Sequence, residues 1–224
     1  MAYEEYQSYF RSCTGTLIAS DWVLTAAHCF KIQVEYIQYG NMSRKLHETS
    51  SKSLVLKMIP HPNYINVNDV NDIALLLVKP VAMSEYGKIS AIDFRTLVGL
   101  EMEYAGFGTT YIAAKRVPLK EEIANFDNYR PLQILRGVAK LCDERRFVAH
   151  LRQLNHPLSG DSGGPLFFNG KIVGVFVRYH TYFFKHYYTP VSPHLGWIHH
   201  EISLQAYNTK INKTLNLRTR IKKG

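Results

Sequence analysis

The sequence predicts an all-β protein, a barrel or a sandwich, and three observations carry that expectation. Short apolar runs alternate with turn signals along most of the chain. Fifteen Tyr and eleven Phe favour strands over long helices. The dipeptide Asn169-Gly170 stands between two apolar runs, and because both residues tolerate positive φ it is the strongest short-range hairpin signal in the chain.

The elements follow in order. Gly15 to Ala19 and Trp22 to Thr25 read as two strands joined by Ser20-Asp21. Leu54 to Ile59 is a strand stopped by Pro60 and Pro62. Ile73 to Val78 is a continuous apolar run, short enough for a strand buried on both faces. Gly164 to Phe168 and Ile172 to Arg178 are the arms of the Asn169-Gly170 hairpin. One helix is expected, starting near Pro193 and carrying Trp197, Ile198, Ile202 and Leu204 at helical spacing. A soft break near Ile92 to Thr96 divides the expected domains: residues 1–94, residues 95–207 and a basic tail at 208–224.

Composition bounds the function. With 224 residues, 46% hydrophobic and 20% charged, the chain can bury one large core or two small ones. It contains no run of eighteen apolar residues, so no membrane span is expected. Its start, Met-Ala-Tyr-Glu-Glu-Tyr, has neither the basic opening nor the apolar centre of a signal peptide. The formal charge of +9 would suit an anionic partner, but Lys210, Lys213, Arg218, Arg220, Lys222 and Lys223 all lie in the last seventeen residues. Without those six the remainder carries only +3, so the charge is read as a solvated, poorly ordered terminus and no nucleic-acid partner is expected. Three cysteines, Cys13, Cys29 and Cys142, do not define a disulfide framework by themselves.

Three segments carry chemistry. Gly160-Asp161-Ser162-Gly163-Gly164-Pro165 surrounds a serine with glycines. They permit a tight turn, close approach of a substrate backbone and convergence of N–H groups on a developing oxyanion. Leu24-Thr25-Ala26-Ala27-His28-Cys29 sets a histidine among small residues at a strand end, where a cleft can admit it. Asn71-Asp72-Ile73-Ala74-Leu75-Leu76 leads a single carboxylate into an apolar strand. Taken singly these could be a structural loop, a packed imidazole and a strand-capping aspartate. An Asp at the edge of a buried strand is also the right partner for an imidazole N–H.

In that order, His, Asp, Ser, the segments resemble the trypsin/chymotrypsin family of serine proteases. Cys13-Thr-Gly-Thr-Leu-Ile, His61-Pro-Asn-Tyr, Ala105-Gly-Phe-Gly, the Tyr188-Thr-Pro-Val strand and Trp197-Ile198 extend the likeness over roughly residues 5 to 205. The resemblance implies two antiparallel six-stranded β-barrels closed by a C-terminal helix, with the triad at their interface. It implies Ser162 as nucleophile, His28 as general base and then acid, and Asp72 as the group that orients the imidazole. It assigns the oxyanion hole to the N–H groups of Gly160 and Ser162, and a disulfide to Cys13 and Cys29. Such a bond belongs to an oxidising compartment, so a secreted protein is expected. The implied partners are protein or peptide substrates and protease inhibitors, acting on a monomer without a cofactor.

Departures from the family bear on activity and specificity. Members begin with an Ile-Val-Gly-Gly-like segment whose freed amine sits beside the Asp before the nucleophile, here Asp161. Only twelve residues precede Cys13 and none resembles that start. Either the segment lies outside this sequence, or Asp161 lacks that cation and the oxyanion turn is zymogen-like. Leu158 replaces one family cysteine, and Met102 with Phe168 replaces a pair. Val177 and Tyr179 stand where Ser and Gly are usual, and His156 stands on the pocket floor in place of Asp, so cleavage after Lys or Arg is not expected. His186 reaches towards the same pocket by strand alignment. Two protonated imidazoles there could accept an acidic side chain, or both rings could pack against Tyr179 and close the pocket. A zinc site using both finds no third ligand. Two functional classes follow: an endopeptidase with unusual specificity, or a protease homologue that binds or regulates.

Overall fold

The computed structural model describes residues 2–5, 8–11, 13–31, 33–40, 51–106, 132–143, 146–151, 160–180 and 185–221. Fourteen strands and one α-helix account for most of them: β1 Ala2–Glu5, β2 Ser8–Arg11, β3 Thr16–Ala19, β4 Trp22–Thr25, β5 Tyr36–Tyr39, β6 Ser51–Pro60, β7 Ala74–Val78, β8 Lys88–Ile89, β9 Glu101–Gly106, β10 Gln133–Asp143, β11 Arg146–Leu151, β12 Pro165–Phe168, β13 Lys171–His180, β14 Lys185–Pro190 and the helix Leu195–Ile221.

The first sheet runs β2-β1-β5-β6-β7-β4-β3, seven strands with antiparallel pairing throughout. Its most buried strand is β7, flanked by β6 and β4. Ile73, Ala74, Leu75, Leu76 and Val78 are fully buried there, as an apolar run without alternation requires. Val23, Ile37, Leu76, Val78 and Val81 form the core of this half.

The second sheet runs β12-β9-β10-β11-β14-β13, and β12 also pairs with β13, so six strands close into a ring. Closure removes the unpaired edges that an open sheet would expose. A short β8 adds to β13 in parallel. The β12–β13 hairpin turns through Asn169 (φ 50°) and Gly170 (φ 68°), the backbone a two-residue turn demands. Phe94, Leu97, Met102, Tyr104, Leu166, Phe176 and Tyr188 fill its core. Met102 and Phe168, which stand where the family has a pair of cysteines, meet in this same cluster.

Both sheets lie in one compact unit, Met1–Ser192, and Pro193–Gly224 form a second. That second unit departs from the sequence reading. Residues 208–221, expected to be a poorly ordered tail, continue the helix to Ile221. Thr209 and Thr214 donate their hydroxyls to the carbonyls of Gln205 and Lys210, one turn back. Among the described residues, no helix is long and apolar enough to cross a membrane.

One covalent staple crosses this framework. Cys13, just before β3, is bonded to Cys29, just after β4, and both are buried. The pairing is the one the family resemblance implies. Closing a loop of 16 residues removes roughly 3 kcal/mol of chain entropy from the unfolded state. The Cys13→Ala/Cys29→Ala variant should therefore lose about 3 kcal/mol in guanidinium unfolding. A loss below about 1 kcal/mol would show that neighbouring contacts, not the bond, hold the β3–β4 loop.

Candidate active site

The first sheet delivers a histidine and a carboxylate to one place. After β4 the chain tightens into a short 3-10 helix, Ala27–Lys31, which lifts His28 off the strand. Asp72 precedes β7, in a backbone bent by Asn71 at φ 53° and tied down by the Asn71 side-chain amide, which donates to the Asn63 carbonyl at 2.9 Å. The Asp72 side chain is fully buried and accepts two hydrogen bonds from His28. The backbone N–H donates to Oδ1 at 2.9 Å, and Nδ1 lies 2.6 Å from Oδ2. A buried carboxylate at that distance fixes the tautomer: the proton sits on Nδ1, and Nε2 keeps its lone pair. The histidine side chain is 20% exposed, so that lone pair can meet a solvent-borne group.

The second sheet delivers the glycine-rich turn. Residues 160–164 lead into β12, with Gly160 at φ 101° and Gly163 at φ 84°, a backbone that L side chains rarely adopt. The turn is held on every side. The Thr14 hydroxyl donates to the Gly160 carbonyl at 2.7 Å, and the Thr14 N–H donates to the Ser162 carbonyl at 2.7 Å. The Gly163 N–H donates to Phe176, and the Gly164 N–H to Asp161. A Cβ on Gly163 would collide with Thr25 Oγ1 and the Thr14 carbonyl, so only glycine lets the turn approach the β4 end this closely.

Thr14 and Thr25 thus join the two sheets beside the disulfide. Cys29 Sγ lies 3.8 Å from the Ser162 carbonyl, a van der Waals contact because the sulfur carries no proton. The Cys13, Cys29 and His28 ligand atoms lie within 4.8 Å of one another. With both sulfurs in a disulfide, that cluster offers no thiolate to a metal. His28, Asp72 and the Ser162 turn are therefore brought to one junction, framed by Cys13–Cys29.

Of the residues expected to line a specificity pocket, Val177 is buried in β13, and Tyr179 faces His186 across the β13–β14 pair. Their ring centroids are 5.0 Å apart, and His186 also meets Phe176 at 6.3 Å edge-on. His186 is almost wholly buried, and burial pushes the Tyr179 phenol pKa upward. His156 and Leu158 lie outside the described residues.

Two features escaped the sequence reading. Arg178 pairs with Asp69 at 3.1 Å, three residues before Asp72, and stacks over the Tyr187 ring. Tyr104 of β9 donates its hydroxyl to the Asp161 carbonyl oxygen at 3.3 Å. Neither contact has a local signal, since 109 residues separate Asp69 from Arg178 and 57 separate Tyr104 from Asp161.

Comparison with known proteins agrees with this architecture. The family described as Trypsin matches residues 3–198. Trypsin-1 of Salmo salar is 30% identical over 179 residues, spanning 75% of this chain and 70% of the relative. Duodenase-1 of Bos taurus is 31% identical over 206 residues, spanning 84% and 76%. Among solved structures, neuropsin, a serine protease expressed in the limbic system of mouse brain, superposes with a TM-score of 0.70 at 21% identity. It covers 90% of this chain and 92% of its own, a likeness of fold. With its two sheets, its His-Asp couple and its glycine-rich serine turn, the chain belongs to the trypsin family of serine proteases.

Proposed function

We propose that the chain is a serine endopeptidase in which Ser162, His28 and Asp72 act as one relay. The observation that carries the reading is the buried Asp72 carboxylate accepting both the backbone N–H and the Nδ1 proton of His28. That arrangement leaves Nε2 as the base. It takes the Ser162 proton as Oγ attacks the substrate carbonyl, and returns it to the leaving amine. Asp72 remains ionised and stabilises the imidazolium formed between those steps.

The turn supplies the electrostatic part. Its own fold engages the N–H groups of Gly163 and Gly164, and those of Gly160 and Ser162 are assigned to the oxyanion. Water then hydrolyses the acyl-enzyme by the same route in reverse. Specificity is assigned to β13 and β14. Tyr179 stacked on buried His186 supports a pocket narrowed by aromatic rings rather than one with a carboxylate for Lys or Arg. The Cys13–Cys29 bond suits an extracellular or otherwise oxidising compartment.

Two measurements test this reading. A phosphonate or sulfonyl fluoride should label Ser162, and Ser162→Ala should remove the label and lower kcat by about 10⁶, as for triads that act as a unit. Labelling that survives Ser162→Ala would assign the chemistry elsewhere. In a positional peptide library, Lys and Arg at P1 should be poor, and Tyr179→Gly should raise kcat/KM for large P1 residues by about tenfold or more. A native preference for Lys or Arg would overturn the pocket assignment.

A further inference from the structure

The residue before the nucleophile is a fully buried carboxylate. Asp161 is 0% exposed, and a charge so placed is costly unless it is hydrogen-bonded. The Tyr104 hydroxyl donates to its carbonyl oxygen at 3.3 Å and lies near enough to feel the carboxylate charge. That carbonyl also accepts the Gly164 N–H at 2.9 Å, so two donors converge on it.

The donor is held in advance. The Tyr104 ring packs on Phe176 at 5.4 Å and on Tyr188 at 6.0 Å between centroids, and is 1% exposed. Two glycines make room for it. A Cβ on Gly106 would strike the Tyr104 ring itself, and one on Gly164 would press on the Tyr104 hydroxyl at 3.1 Å and the Asp161 carbonyl at 3.0 Å. Burial first, and then the Asp161 charge, push the Tyr104 phenol pKa well above its ordinary value, so the group stays protonated and can donate. Tyr188, also fully buried, feels the same charge from a second direction.

We propose that Tyr104 is a positioning residue for the reaction assigned above. Its hydroxyl donates to Asp161 and so holds the 160–164 turn in the shape that presents the Ser162 hydroxyl and the Gly160 and Ser162 N–H groups. This rests on the endopeptidase reading, in which the turn must be set before substrate arrives. Tyr104 touches neither substrate nor the reacting atoms and acts only through Asp161. The phenol is neutral, so the clamp adds no charge beside the nucleophile.

The test is Tyr104→Phe in the full chain, which keeps the ring packing and removes only the hydroxyl. A buried hydrogen bond to a main-chain carbonyl biases a conformational equilibrium by roughly 3- to 10-fold. Tyr104→Phe should therefore lower kcat and the rate of phosphonate labelling at Ser162 by about that factor, with KM within about threefold of the unmodified protein. Gly106→Ala, which displaces the same ring, should reproduce the loss.

A second measurement does not depend on turnover. Amide hydrogen exchange at Gly163 and Gly164 should quicken by about 3- to 10-fold in Tyr104→Phe. Unchanged kcat or unchanged exchange in that variant overturns the clamp. Absence of both hydrolysis and labelling in the unmodified chain overturns the endopeptidase reading instead, and the exchange result then decides the clamp alone.

Discussion

Two carboxylates with no exposure to water set the terms for this structure. Asp72 and Asp161 are each completely buried, one in each sheet, and burying an ionised acid is tolerated only where hydrogen bonds replace its hydration. Asp72 meets that demand with two donors from His28, and this is why the imidazole has one orientation and one tautomer. Asp161 stands just before Ser162, and its carbonyl accepts the Tyr104 phenol at 3.3 Å, which ties that residue to the second sheet.

The halves meet because the chain is unusually thin where they touch. Thr14 uses its hydroxyl and N–H on the turn and its carbonyl on Thr25, so three backbone segments converge on one small residue. Gly163 has no side chain to hold them apart. The disulfide lies along this line and limits how far the β3–β4 loop can drift from the turn. Catalytic geometry of this kind depends on short hydrogen bonds to main chain rather than on apolar bulk, since main-chain bonds fix position as well as distance.

How much of this was legible in the sequence depended on the range of each interaction. The Ile73–Val78 run showed a doubly buried strand because burial on both faces erases alternation, and Asn169-Gly170 showed its turn because the φ demand is local. His28, Asp72 and Ser162 were legible through short motifs and their order, not through any property of the three residues alone. Tyr104 was not, because a Tyr in an apolar strand reads as core until its partner is known. The helix beyond Leu204 was hidden for another reason. Its apolar stripe gives way to polar and basic residues, and the backbone bonds that continue the helix leave no hydrophobic period. His186 was placed near the right strand, but its burial against Tyr179 and Phe176 is a tertiary fact.

The second sheet uses apolar packing at two positions where the family resemblance implies a pair of cysteines: Met102 is buried in its core and Phe168 packs against the same cluster. Such a contact stabilises through burial but restrains the unfolded chain not at all. The positional stiffness has to come from packing: Tyr104, Phe176, Tyr188, His186 and Tyr179 form a continuous series of ring contacts beneath β12 and β14. Aromatic rings in edge-on contact resist sliding, because each prefers a narrow range of relative orientation. Phe176 is central to that series, and its carbonyl accepts the Gly163 N–H while its N–H donates to Gly164. The same residue therefore links β13 to the 160–164 turn. A change of ring shape at Phe176 would be felt in both, and on the endopeptidase reading this would couple substrate selection to turnover through packing.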